Sequence, residues 1–217
     1  MAPLDEAERY LDGASLLDRS GAVLYSGVET LRPGPVYLLG LNPGGLAGAT
    51  LRASLAGSRA GRNCYEDECW APGDRELGKG QAPLQRRVRH LCQTMKLEPR
   101  AVPASNLVFT RSRDVATHGG FEAAIELCLP VHRIFVEAIR PRLLVTFGGF
   151  GYFEKAFSVE SVEKASALHG TWRARRGRAR LGGLNFAFAN VPHMSRWGSD
   201  SRETVLRWAI APAGLPA

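Results

Sequence analysis

The chain has 217 residues, of which 45% are hydrophobic and 23% charged, the balance of a water-soluble globular domain with a sizeable core. Its net charge of +7 points to an anionic partner, nucleic acid being the commonest. No apolar run approaches the roughly 20 residues of a membrane span, and the acidic start Met1-Ala2-Pro3-Leu4-Asp5-Glu6 lacks a signal-peptide core. The expectation is a single cytoplasmic domain over 1–217, monomeric and without a membrane partner.

The basic residues cluster. Arg86-Arg87-Val88-Arg89-His90 is one group, Arg111-Ser112-Arg113 a second, and Arg173 to Arg180 holds five arginines in eight residues. The four cysteines, Cys64, Cys69, Cys92 and Cys128, form no C-x-x-C pair, which argues against a zinc or iron–sulfur site.

In chain order, residues 5–18 read as a helix with Leu11, Leu16 and Leu17 on its apolar face. The run Val36-Tyr37-Leu38-Leu39 between Pro35 and Gly40 reads as a buried strand of a parallel sheet, spanning about 35–41. Asn42-Pro43-Gly44-Gly45 cannot continue it, because Pro43 lacks a donor and the glycines favour turns. A long irregular stretch is expected from Gly44 to about Gln81, then a helix over 83–97 with Pro83 in its first turn. A second core strand lies within 101–110 and contains Asn106. Residues 121–140 read as a helix that Pro130 should kink or break. Leu143–Phe147 is a third strand, and Gly148-Gly149 turns into a helix over about 150–157. A basic two-stranded ribbon is expected from His169 to about Ala189, turning near Gly177. Its return strand, 184–191, feeds Pro192-His193-Met194-Ser195-Arg196-Trp197, and a helix closes the chain over about 201–210. This alternation predicts an α/β fold: a three-layer α/β/α sandwich around a mostly parallel, about four-stranded central sheet.

Asn42, Asn106 and His193 stand at or within three strand segments. Each has a plain structural reading as a turn cap, a backbone partner or a packed histidine. In a parallel sheet, however, such points converge on one cleft at the carboxyl ends of the strands.

On these residues the chain resembles the uracil-DNA glycosylase superfamily over roughly 34–210. Gly40-Leu41-Asn42-Pro43-Gly44 is similar to the first motif, G-[IM]-N-P-G, of its mismatch-specific and single-strand-selective branches. His193-Met194-Ser195 resembles the second motif, commonly H-P-S. Asn106-Leu107-Val108-Phe109-Thr110 resembles the strand that carries the uracil-reading Asn, and Leu143 to Phe157 the strand, glycine turn and helix that follow.

The resemblance implies a monofunctional DNA glycosylase that flips uracil, or another deaminated base, out of DNA and hydrolyses its N-glycosidic bond. Asn42 would orient the attacking water and His193 would stabilise the negative charge growing on uracil O2. Asn106 would read the O4 and N3 edge. Leu41, Pro43, Gly44 and Tyr65 would complete the base site, with Trp70 as the alternative stacking ring. DNA would meet Arg111, Arg113, Arg173, Arg175, Ser195, Arg196 and Trp197; Trp197 could instead be a core anchor. No cofactor or metal is required. Gly44 falls where one branch places a bulky Tyr, which implies tolerance of 5-substituted uracils, and Met194 replaces the usual proline. A catalytically silent nucleic-acid-binding relative is the alternative, and an enzyme acting on a small nucleotide a third.

Overall fold

A computed structural model describes residues 1–45, 48–71 and 77–214. Its helices are α1 (Pro3–Gly13), α2 (Leu51–Arg59), α3 (Cys64–Asp67), α4 (Pro83–Thr94), α5 (Phe121–Ile139), α6 (Phe150–Ala156) and α7 (Glu203–Ile210). Its strands are β1 (Val36–Gly40), β2 (Ala104–Asn106), β3 (Leu143–Phe147), β4 (Ser158–Ser166), β5 (Arg173–Leu181) and β6 (Leu184–Val191). They form one sheet in the order β2-β1-β3-β6-β5-β4. The first four are mutually parallel, while β5 runs antiparallel to both β6 and β4. The fold is therefore α/β with a mostly parallel sheet, but of six strands rather than about four.

The strand β1 shows why the sheet is buried on both faces. Val36 and Leu38 join a cluster that includes Val88 and Leu91 of α4, Met95 just beyond its end, and Leu206 and Ile210 of α7. Tyr37 and Leu39 point the other way, into a cluster with Leu4 and Leu11 of α1 and Phe135 and Val136 of α5. Side chains alternate along a strand, so a continuous apolar run is stable only when both faces are covered.

Several expectations are corrected. The basic ribbon is not a pair turning at Gly177. Gly177 stands inside β5 opposite Val162, where a Cβ would lie 1.9 Å from the Ser161 carbonyl oxygen. The arginine-rich strand pairs with its return strand β6 as expected, but through a turn at Gly182-Gly183, and on its other side it pairs with β4, an edge strand whose solvated pattern hides it in the sequence. The stretch after Gly44 is not wholly irregular. Thr50 caps α2, its hydroxyl accepting from the Ala53 N–H at 3.2 Å, and Leu51 and Leu55 bury one face. Helix α5 runs unbroken through Pro130. Proline frees the carbonyl four residues back, here that of Glu126, an exposed residue on the solvent side of the helix. Helix α1 ends at Gly13, five residues short of the expected end. Among the described residues, no helix is long and apolar enough to cross a membrane.

Candidate active site

Because β1, β2, β3 and β6 are parallel, their carboxyl ends open on one edge of the sheet. A cleft of about 1250 Å³ lies there, somewhat above the roughly 300–1,000 Å³ of small-molecule sites. Asn42, Asn106, Phe147, Asn190 and His193 all line it, contributed by the ends of those four strands. Of the residues expected at the site, Leu41, Gly44, Tyr65, Arg111, Arg113, Arg173, Arg175, Ser195 and Arg196 line it as well. Pro43 and Trp197 do not. Pro43 is buried behind the loop and takes part through its carbonyl. Trp197 is 0% exposed, and its indole N–H donates to the Ala167 carbonyl at 2.8 Å. It is a core anchor and cannot reach DNA from there.

Asn42 is held in one orientation. Its Nδ2 donates to the Pro43 carbonyl (3.0 Å), the Ser112 carbonyl (3.2 Å) and Ser112 Oγ (2.9 Å). Ser112 Oγ in turn donates to the Asp114 carbonyl at 2.7 Å, so towards Asn42 it can only accept. The amide nitrogen is thereby engaged, and Oδ1 is left as the acceptor for whatever lies in the cleft. Ser112 was legible in the sequence only as a member of a basic cluster; nothing local reveals a bond to a residue 70 positions earlier.

His193 is equally constrained. Its Nδ1 accepts from the Ser195 backbone N–H (3.3 Å) and lies 2.7 Å from Ser195 Oγ. An acceptor role at Nδ1 puts the proton of the neutral ring on Nε2. Burial, helped by the positive charge of Arg196, holds the imidazole below its ordinary pKa, so the neutral form prevails at pH 7. The loop itself is fastened by Arg87, which donates to the Met194 carbonyl at 2.5 Å. Gly148 packs behind it with φ of +72°, where a Cβ would come within 3.1 Å of His193 Cβ.

Asn106 is 5% exposed, and its Nδ2 has no hydrogen-bond partner among the described residues. A buried amide donor without a partner is costly, of the order of 1–3 kcal/mol. One that lines a cleft is a ready contact for an entering acceptor. Its other amide atom explains Gly40, where a Cβ would sit 2.1 Å from Asn106 Oδ1. The glycine before the Leu41-Asn42-Pro43 segment is there to make room for the asparagine of the neighbouring strand.

The far wall is aromatic. Tyr25, Tyr65 and Trp70 pack with ring centroids 5.6 to 6.2 Å apart. Both expected rings, Tyr65 and Trp70, are present, and Tyr25 joins them although no motif marks it. It is drawn in by its backbone, whose N–H donates to the Ala104 carbonyl beside β2 at 2.8 Å. Gln85 ties this wall together, donating from α4 to the carbonyls of Cys64 (2.8 Å) and Glu68 (2.9 Å). Of the cysteines, Cys64, Cys92 and Cys128 are buried and Cys69 is exposed. Burial pushes the thiols of the buried three well up, so they stay protonated.

The arginines at the rim differ in role. Arg111 donates to the Gly44 carbonyl and braces the first loop. Arg113 is exposed and paired with Asp114 at 3.2 Å. The Arg175 guanidinium lies 4.8 Å above the Phe150 ring, with no carboxylate among the described residues in ion-pair range. Burial lowers its pKa, the mark of a cation poorly compensated by its surroundings. Comparison with protein-family models and with curated sequences returns no match.

Proposed function

We propose that this chain is a monofunctional DNA glycosylase that excises uracil, and other deaminated bases, from DNA after base flipping, acting as a monomer in the cytoplasm. The reading joins the resemblance to the uracil-DNA glycosylase superfamily, and the three-layer sandwich it implies, to the chemistry of the cleft. The observation that carries it is the pairing of Asn42 and His193. One presents only an amide oxygen, the other only an N–H, at the same edge of the sheet.

Asn42 Oδ1 would accept from a water and aim its lone pair at C1′ of the extruded nucleotide. An amide is not a base, so the water's proton is lost to solvent as the bond to the base breaks. The departing base would carry negative charge on O2, where the Nε2–H of His193 donates to it. Such a donor acts most strongly when charge is developing in a site shielded from water. The unpaired Nδ2 of Asn106 would donate to the O4 carbonyl of uracil, a position where cytosine carries an amino donor instead. Among the described residues, nothing beyond its chain neighbours lies within 4 Å of a Cβ placed on Gly44, which would leave room for a substituent at C5.

The test is an oligonucleotide panel carrying uracil, hypoxanthine, xanthine or mismatched thymine, followed by alkaline cleavage of abasic sites. Scission at one or more of these bases is expected, reduced about a hundredfold or more in Asn42→Ala and in His193→Ala. No scission from any lesion, with salt-sensitive DNA binding intact, would replace this reading with that of a silent nucleic-acid-binding protein.

A further inference from the structure

We infer that the Tyr25 hydroxyl reads the base alongside Asn106, accepting a hydrogen bond from the ring N–H next to the carbonyl to which Asn106 donates. This rests on the reading above that the cleft takes an extruded base. Tyr25 is carried by the segment Val23-Leu24-Tyr25, which runs antiparallel along β2. Leu24 pairs with Ser105, so Tyr25 falls opposite Ala104 and shares a face with Asn106, the next residue but one along β2. Tyr25 and Asn106 both line the cleft. The segment is held on either side of the ring. The Tyr25 N–H donates to the Ala104 carbonyl at 2.8 Å, and its carbonyl accepts from the Cys64 N–H at 2.8 Å. Further back, the Val23 carbonyl accepts from Ser105 Oγ at 2.5 Å.

Packing against Tyr65 and Trp70 asks only for an aromatic ring at this position, not for a hydroxyl. The hydroxyl stands among polar groups of the cleft. Cys64, Arg111, Asn106 and Glu68 are the side chains near enough to shift its pKa, and all four line the cleft. Burial outweighs them and raises that pKa, so the phenol stays protonated and can both donate and accept. The Asn106 amide lies beside it without a hydrogen bond of good geometry. Asn106 Oδ1 rests against Gly40 of β1, which leaves Nδ2 as the amide atom without a partner among the described residues. The two side chains therefore offer a fixed donor next to a hydroxyl whose lone pairs can face a donor. That pair matches a ring N–H adjacent to a carbonyl, the N3–C4 edge of uracil and the N1–C6 edge of hypoxanthine. Cytosine and adenine carry a bare ring nitrogen and an amino group there, and the amino group would meet Asn106 Nδ2 donor against donor.

The test is binding, by fluorescence anisotropy, of wild type and Tyr25→Phe, which keeps the ring, to duplexes holding one 2′-fluoro-2′-deoxyuridine, whose glycosidic bond resists cleavage. The variant should bind the uracil duplex about tenfold more weakly than the wild type. A duplex with a tetrahydrofuran abasic analogue offers no base to read, and both proteins should bind it alike. They should also bind alike when 3-methyluracil, which has no ring N–H to donate, replaces uracil. Undiminished affinity of Tyr25→Phe for the uracil duplex would overturn the assignment. So would an equal loss on the uracil and abasic duplexes, which marks a structural role, or an equal loss on uracil and 3-methyluracil, which means that the hydroxyl meets another atom. A wild type that binds the 2′-fluoro-2′-deoxyuridine duplex no better than an undamaged one defeats the base-flipping reading itself, and this assignment with it.

Discussion

At the scale of single residues, the surroundings of Asn42 explain why an amide rather than a carboxylate stands at the end of β1. Its Nδ2 faces two backbone carbonyls and the acceptor side of Ser112. An aspartate there would turn an oxygen onto three acceptors. Asn42→Asp is therefore expected to lose activity and about 1–3 kcal/mol of stability rather than to gain rate. Ser112→Ala removes one of the three bonds and should lower kcat about tenfold with KM little changed, while Ser112→Thr, which keeps the hydroxyl, should recover most of it. Steady-state excision kinetics and denaturant titration read both variants. A faster Asn42→Asp enzyme would show that the amide is not held as described. Asn42 was legible in the sequence, because a polar residue ending an apolar run before Pro-Gly marks a strand end. Ser112 was not, since its role exists only through a contact across the fold.

At the scale of elements, the packing of β1 against β2 turns a loose motif into a rule about volume. Gly40 pairs with Asn106 in the parallel register, and a methyl group on Gly40 would collide with Asn106 Oδ1. Gly40→Ala should destabilise the protein by more than about 2 kcal/mol and abolish excision. Adding Asn106→Ala should restore much of the stability, by removing the colliding atom, without restoring activity. A thermal-melt double-mutant cycle measures this coupling; strict additivity of the two changes would refute the contact. The strands β1, β3 and β6 were readable from their apolar runs. Strand β4 was not, because edge strands exposed on one side carry little periodic signal, and neither was the continuity of α5, which depends on where the carbonyl freed by Pro130 points.

At the scale of the whole molecule, charge and burial are unevenly distributed. Many arginines away from the cleft are neutralised, as in Arg59 with Asp5 and Glu8, Arg100 with Asp67, Arg176 with Glu163 and Arg207 with Glu203. Arg173, Arg175 and Arg196 line the cleft with no such pair among the described residues. The positive field is thus concentrated there. Arg173→Ala and Arg175→Ala should each weaken DNA binding and reduce the slope of log K against log salt by about one. An unchanged slope in fluorescence anisotropy would place the DNA elsewhere. Burial governs the acid side of stability. His132 is 0% exposed, its Nε2–H donating to the Leu107 carbonyl (3.1 Å) and its Nδ1 accepting from the Tyr37 hydroxyl (3.0 Å). Burial lowers its pKa from 6.5 to about 4. Since the folded value is depressed, this contribution is fully present above pH 6.5 and is lost as pH falls towards 4, by up to about 3 kcal/mol. His118 and His193 shift in the same direction. Urea unfolding between pH 7 and 4.5 should show the decline, and His132→Asn should flatten it. An equally steep decline in that variant would remove His132 as its main source.

The chain's local patterns were enough to determine the α/β class, the parallel core strands and the polar residues at their ends, because alternation, apolar runs and Pro-Gly stops act over a few neighbouring residues. The tertiary structure decided which atoms of those residues are free. It engaged the Asn42 amide nitrogen and His193 Nδ1, leaving the Asn42 oxygen and His193 Nε2 unengaged among the described residues, left Asn106 Nδ2 without a partner among them, and brought in Tyr25 and Ser112. It also sent Trp197 to the core. These outcomes depend on contacts between segments tens of residues apart, where hydrogen-bond saturation and volume exclusion operate and no sequence window reaches.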